Sequence, residues 1–214
     1  MISKTKENIF VVKNAIIFFA VFFIIATINC SAQRLREGSL DFLKGQEFLH
    51  VVLDFDNAKL QGKPQMDYLA MENPQWVQGW ETAKNTFMDA MLEQLNNNVR
   101  AQALQCGNFP DANYQATIRI LTLRRKGFGQ YLEGPGIRNV TSEVIFTRIG
   151  DTEPLAKITR LNTDSKAKTS VFVPQVARDV VGIVGGAGSN AHLTRVAFSN
   201  MGQDLGRFLA RRIR

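Results

Sequence analysis

FLHVVLDFD, residues 48–56, alternates apolar and polar side chains along its length. Leu49, Val51, Leu53 and Phe55 fall on one side, with His50, Asp54 and Asp56 on the other. A period of two sustained this long predicts a half-buried strand. Residues 57–73 carry Gly62, Pro64 and Asn73 and read as a loop. The period then changes. In PQWVQGWETAKNTFMDAMLEQLNNN, residues 74–98, Trp76, Trp80, Ala83, Phe87, Met91 and Leu95 recur every three or four positions, a stripe that Val99 continues. That is the inward face of a long helix. Pro74 suits its first position and Asn73 its cap.

Further along, Tyr114–Leu123 alternates again, with Ala116, Ile118 and Ile120 facing one way and Gln115, Thr117 and Arg119 the other. Strands are predicted at Val140–Arg148 and Leu155–Leu161, joined through Gly150-Asp151 as an antiparallel hairpin. Ser189 or Asn190 can cap a last helix running to Arg212. Its stripe is Leu193, Val196, Ala197, Met201, Leu205, Phe208 and Leu209. Arg207, Arg211, Arg212 and Arg214 complement the negative end of its dipole. The order β-α-β-β-β-α predicts an α+β two-layer sandwich: a mostly antiparallel sheet of about four strands and two main helices, with 48–214 as a single domain.

The N-terminus carries a different signal. Lys4, Lys6 and Lys13 surround one acid, Glu7, ahead of AIIFFAVFFIIA, a twelve-residue apolar run at 15–26. Spanning a bilayer takes about 20 apolar residues, and a signal-peptide core roughly 7–15. Residues 1–32 therefore read as a signal peptide cut after Ala32, with 33–47 as a flexible lead-in. Lipidation at Cys30, or an uncleaved anchor, are the alternatives. Each of the three exports the chain. The leader removes two units from a formal charge of +7, leaving a mild excess that does not call for nucleic acid. Two cysteines and two histidines exclude a disulfide scaffold and a four-cysteine zinc site.

Candidate chemistry is thin. His50, Asp54 and Asp56 share a strand side and could form an enzyme or cation site, although a solvated face is the simpler account. Gly185-Gly186-Ala187-Gly188 precedes a helix without the Gly-Lys-Ser/Thr of a phosphate loop. Arg124-Arg125-Lys126, near Phe128 and Tyr131, reads as a solvated loop. His192 reads as a surface histidine, Cys106 as an inert buried thiol, and Trp76 and Trp80 as core. No catalytic, cofactor or metal residues are assigned. Val171, Val173, Val180, Val181 and Ile183, between a polar loop and the last helix, are too apolar for a connection. They form either a plug under the domain or a contact surface.

The Ser-Ala-Gln end of the leader, the first strand VVLDFDNAKL, the helix WVQGWETAKNTFMDAML and the closing helix RVAFSNMGQDLGRFL resemble small secreted envelope proteins of Bacteroidetes. More loosely, the Gly-rich loop and closing helix are similar to YajG-like envelope lipoproteins. The resemblance lowers the expectation of an enzyme. With it, the leader, the compact α+β pattern and the lack of a catalytic constellation point to an exported, non-enzymatic envelope protein, an accessory or binding module at the periplasm or cell surface. Its partner would be an envelope protein or polymer, with membrane attachment only through Cys30 or an uncleaved leader. A secreted enzyme built around His50, Asp54 and Asp56, or a structural subunit of a surface assembly, are the other readings.

Overall fold

The chain divides into Met1–Ala32 and Gln33–Arg214. A computed structural model describes residues 34–125, 136–165 and 190–213, all in the second unit. The strands are β1 (Arg34–Gly38), β2 (Phe48–Asp54), β3 (Lys59–Leu60), β4 (Lys63–Pro64), β5 (Gln105–Gly107), β6 (Tyr114–Arg125), β7 (Ile137–Arg148) and β8 (Ala156–Asp164). The helices are α1 (Gln65–Glu72), α2 (Pro74–Val99) and α3 (Asn190–Arg212). The sheet order is β1-β8-β7-β6-β2-β5, with β3 pairing β6 and β4.

This corrects the expected fold. Among the described residues the sheet has eight strands rather than about four, and it is mixed. β2 runs parallel to both β5 and β6, while β6, β7, β8 and β1 pair antiparallel. The parallel pairing follows from α2. Its 26 residues return the chain to the end where β2 began, as a crossover between parallel neighbours requires. A third helix, α1, occupies part of the expected loop, where Pro64 precedes its first turn. Residues 34–38 of the expected flexible lead-in form β1, antiparallel to β8, and Leu40 and Leu43 beyond it are buried.

All three helices lie on one face of the sheet. From β6, Ala116, Ile118, Ile120 and Leu123 point into that layer, and from β7 Val140, Val144 and Phe146 do so. The capping and stripe arguments hold for α2: the Asn73 side chain accepts from the Gln75 backbone N–H at 3.0 Å, and Trp76, Trp80, Phe87, Met91, Leu95 and Val99 are buried. Where α2 meets α3, Phe87 stacks on Phe198 at 4.7 Å between ring centres. Contact between these helices is unusually close at two glycines. A Cβ on Gly202 would stand 2.0 Å from the Met91 carbonyl oxygen, and one on Gly206 would stand 2.7 Å from the Asn98 Cβ. Only a residue without a side chain lets the backbones approach this far. No described helix is long and apolar enough to cross a membrane.

Candidate functional site

The alternation that buries Ala116, Ile118 and Ile120 turns Gln115, Thr117 and Arg119 to the other face, where no described helix packs. Four neighbouring strands there carry charges of alternating sign: Asp54 on β2, Arg119 on β6, Glu143 on β7 and Lys157 on β8. Arg119 donates through Nε to Asp54 Oδ2 at 3.1 Å and through Nη1 to Glu143 Oε1 at 3.0 Å. Lys157 Nζ lies 3.1 Å from Glu143 Oε2. The Asp54 hydrogen bond is the main reason the Arg119 guanidinium holds its proton more tightly than usual. The cations are 39% and 29% exposed and the carboxylates 19% and 14%, and pairs this close to the surface contribute about 1 kcal/mol each or less. The ladder orients four charges across the sheet more than it stabilises the fold.

The same register accounts for the His50, Asp54 and Asp56 expectation. Asp54 Oδ2 is held by Arg119, while its Oδ1 accepts the Asp56 backbone N–H at 2.9 Å. His50 Nδ1 accepts the Phe109 backbone N–H at 3.1 Å, which ties β2 to the loop after β5. Among the described residues no group of three His, Cys, Asp or Glu side chains could hold a metal ion. The His50 and Asp54 side chains are engaged in the frame of the sheet, the Asp56 side chain is exposed, and the three do not converge as a ligand set.

Other sequence candidates have structural roles. Trp76 and Trp80 are buried in the helix layer. Cys106 is buried too, and desolvation pushes its thiol up to about 12, so it stays protonated and unreactive at neutral pH. Arg124 and Arg125 belong to the end of β6 rather than to a loop. The Arg125 side chain is only 6% exposed: its Nη1 donates to the Tyr68 hydroxyl at 2.9 Å and to Glu72 at 3.2 Å, and its guanidinium lies 5.3 Å from the Trp76 ring centre. It clamps α1 and α2 to the sheet. His192 is half-buried on α3. Cys30, Lys126, Phe128, Tyr131, the run from Val171 through Val173, Val180, Val181 and Ile183, and Gly185 to Gly188 lie outside the described residues.

Sequence reasoning missed a concavity at the Arg124 end of the ladder face. It has a volume of about 540 Å³ and is lined by Arg124, Asn139, Val140, Thr141, Asn162, Thr163 and Asp164. Arg124 sits opposite Asn139, and Asn139 opposite Asp164, across three strands. In the adjoining row Thr141 faces Asn162. These residues come from three separate strands, and only the register brings them together. A second hollow, of about 500 Å³, lies where Pro110–Tyr114 meets Arg148 and Ile149.

No protein-family model matches the chain, and no curated protein sequence matches it either. Among solved structures the chain is similar to the PelC dodecamer from Paraburkholderia phytofirmans, at 9% sequence identity and a TM-score of 0.37. The match covers 82% of this chain and 98% of that one. At that distance the chemistry of the site rests on the residues themselves.

Proposed function

We propose that this chain is an exported, non-catalytic binding module that meets an envelope polymer through the face of its sheet on which no described helix packs. The observation that carries the reading is the four-strand ladder Asp54–Arg119–Glu143–Lys157, placed on a face that no described element covers. Around it the face is mainly amide, hydroxyl and charge, with half-buried Val52 and Ile145 set among them in the row Val52–Thr117–Ile145–Lys157: Gln115 and Thr117 hydrogen-bond to each other at 2.8 Å, and Thr141, Asn139 and Asn162 follow toward one end. The cores of protein–protein interfaces are apolar and poor in charge. A surface of this composition suits a hydroxylated polymer better than a protein partner. The leader at 1–32 supports export. The engagement of His50, Asp54 and Cys106 in internal structure supports a role without covalent chemistry.

The test is affinity capture from native envelopes with the wild-type protein and with Arg119→Ala/Lys157→Ala. Both side chains are partly exposed, but Glu143 between them is 14% exposed and loses both partners, so the comparison uses a double variant whose circular dichroism and melt match the wild-type fold. Polysaccharide retained by the wild type and lost several-fold by the variant is the expected result. Equal retention by both proteins, or retention of protein alone, contradicts it.

A further inference from the structure

The concavity at the end of β6, β7 and β8 deepens that reading, on which it rests. We propose that it is a subsite for a carboxylated sugar unit of the polymer, with Arg124 as its carboxylate anchor and Asn139, Thr141 and Asn162 reading ring hydroxyls.

Three observations converge. The first is size: about 540 Å³ lies within the range of small-ligand sites, roughly 300–1,000 Å³. The second is the state of the lining. Among the described residues, the side chains of Arg124, Asn139, Thr141 and Asn162 make no hydrogen bond or ion pair, whereas the neighbouring ladder is fully paired. Directly opposed side chains stand about 4.5–5.5 Å apart across strands. The Arg124–Asn139–Asp164 row and the Thr141–Asn162 row beside it thus make a compact polar floor. The third is local shape. The β6–β7 register shifts between Ile120 and Thr122 and again between Arg124 and Arg125, while β7–β8 shifts between Ser142 and Val144. Bulges bend a strand, increase its twist and re-aim side chains, and they recur beside binding sites. Here two of them bracket Arg124.

The chemistry selects the ligand. A guanidinium offers a planar fork of donors that fits a carboxylate with two parallel hydrogen bonds. Carboxamides and a hydroxyl each donate and accept, as sugar hydroxyls require of their partners. A single carboxylate on a polyol pairs with Arg124 and offers its hydroxyls to Asn139, Thr141 and Asn162.

Backbone-amide NMR titration of the purified protein with sodium D-glucuronate, D-glucose and sodium acetate tests this. The expected result is saturable shifts at 122–124, 139–141 and 162–164 with glucuronate, and weaker ones with glucose or acetate. Arg124→Gln should weaken glucuronate binding roughly tenfold or more, the usual worth of a charged hydrogen bond. Asn162→Ala should weaken glucuronate but not acetate. Both side chains are exposed, so the variants keep the fold. Absence of saturable shifts, an unchanged affinity in Arg124→Gln, or acetate binding as well as glucuronate overturns the proposal. If envelope polymer is captured while glucuronate fails, this subsite falls and the binding-module reading stands. If glucuronate binds while capture retains no polymer, that broader reading fails instead.

Discussion

Replacing Trp80 with alanine should destabilise the protein by about 3–5 kcal/mol, the usual cost of deleting a large aromatic from a core. Trp80 is 1% exposed. It meets Phe55 edge-on at 6.0 Å and Phe87 at 5.8 Å between ring centres. Those contacts join the segment just after β2 to α2, and Phe55 and Phe87 both reach Phe198 on α3. A void there would loosen three elements at once. The indole Nε1 is buried without a hydrogen-bond partner. Trp80→Phe therefore removes an unsatisfied donor along with some volume, and should cost clearly less than Trp80→Ala. Chemical denaturation of the two variants checks the order. Equal losses, or wild-type stability in Trp80→Ala, would show that this residue is not in the core.

A second large effect is expected at Gly202, where one methyl group should cost about 1–3 kcal/mol or more. The added Cβ would stand 2.0 Å from the Met91 carbonyl oxygen, a backbone atom that no rotamer change can move away. α2 and α3 would have to separate, and Phe87 would lose its stacking on Phe198. The control is Gly79→Ala on α2. Gly79 is exposed, and a Cβ there meets nothing within 4 Å. At that position alanine should stabilise by roughly 0.5–1 kcal/mol, because glycine is a poor helix residue. The same substitution then has opposite signs at two helical glycines. Thermal melts of both variants decide it, and a neutral Gly202→Ala would contradict the close helix contact.

Long periodic segments were legible in the sequence. Strands β2, β6, β7 and β8 run seven residues or more and helices α2 and α3 more than twenty, enough for alternation or a helical stripe to stand above composition, whereas the eight residues of α1 make barely two turns and read as loop. β1, β3, β4 and β5 have two to five residues each, too few for a period to register. They form because neighbours offer unpaired edges. β3 completes its pairing on Leu123 and Thr122 of β6, and β5 lies along Phe48 to His50 of β2. The parallel pairing of β2 was hidden for the same reason, since it depends on where α2 delivers the chain. Arg125 shows how a local reading goes astray. Within Arg124-Arg125-Lys126 it looks like one of three solvated charges, yet Tyr68, Glu72 and Trp76, more than 48 residues earlier, supply its partners. The candidate site was illegible on similar grounds. Arg119, Glu143 and Lys157 are ordinary polar positions of alternating strands until the register sets them side by side, and the bulges beside Arg124 have no sequence signature.

The claim that the sheet face opposite the described helices is the working surface can be tested without knowing the partner. Lys157 on that face and Lys84 on α2 are closely matched reporters: their side chains are 29% and 24% exposed, and each is ion-paired, to Glu143 and Glu81 respectively. Lys84 lies on the helix side, its Nζ 5.7 Å from the Phe55 ring centre. Acylation rates of both lysines, followed by mass spectrometry with and without a native envelope extract, compare the two sides of the molecule in one sample. Lys157 should become protected while Lys84 keeps its rate. An unchanged Lys157, or equal protection of both, would contradict binding through the sheet face.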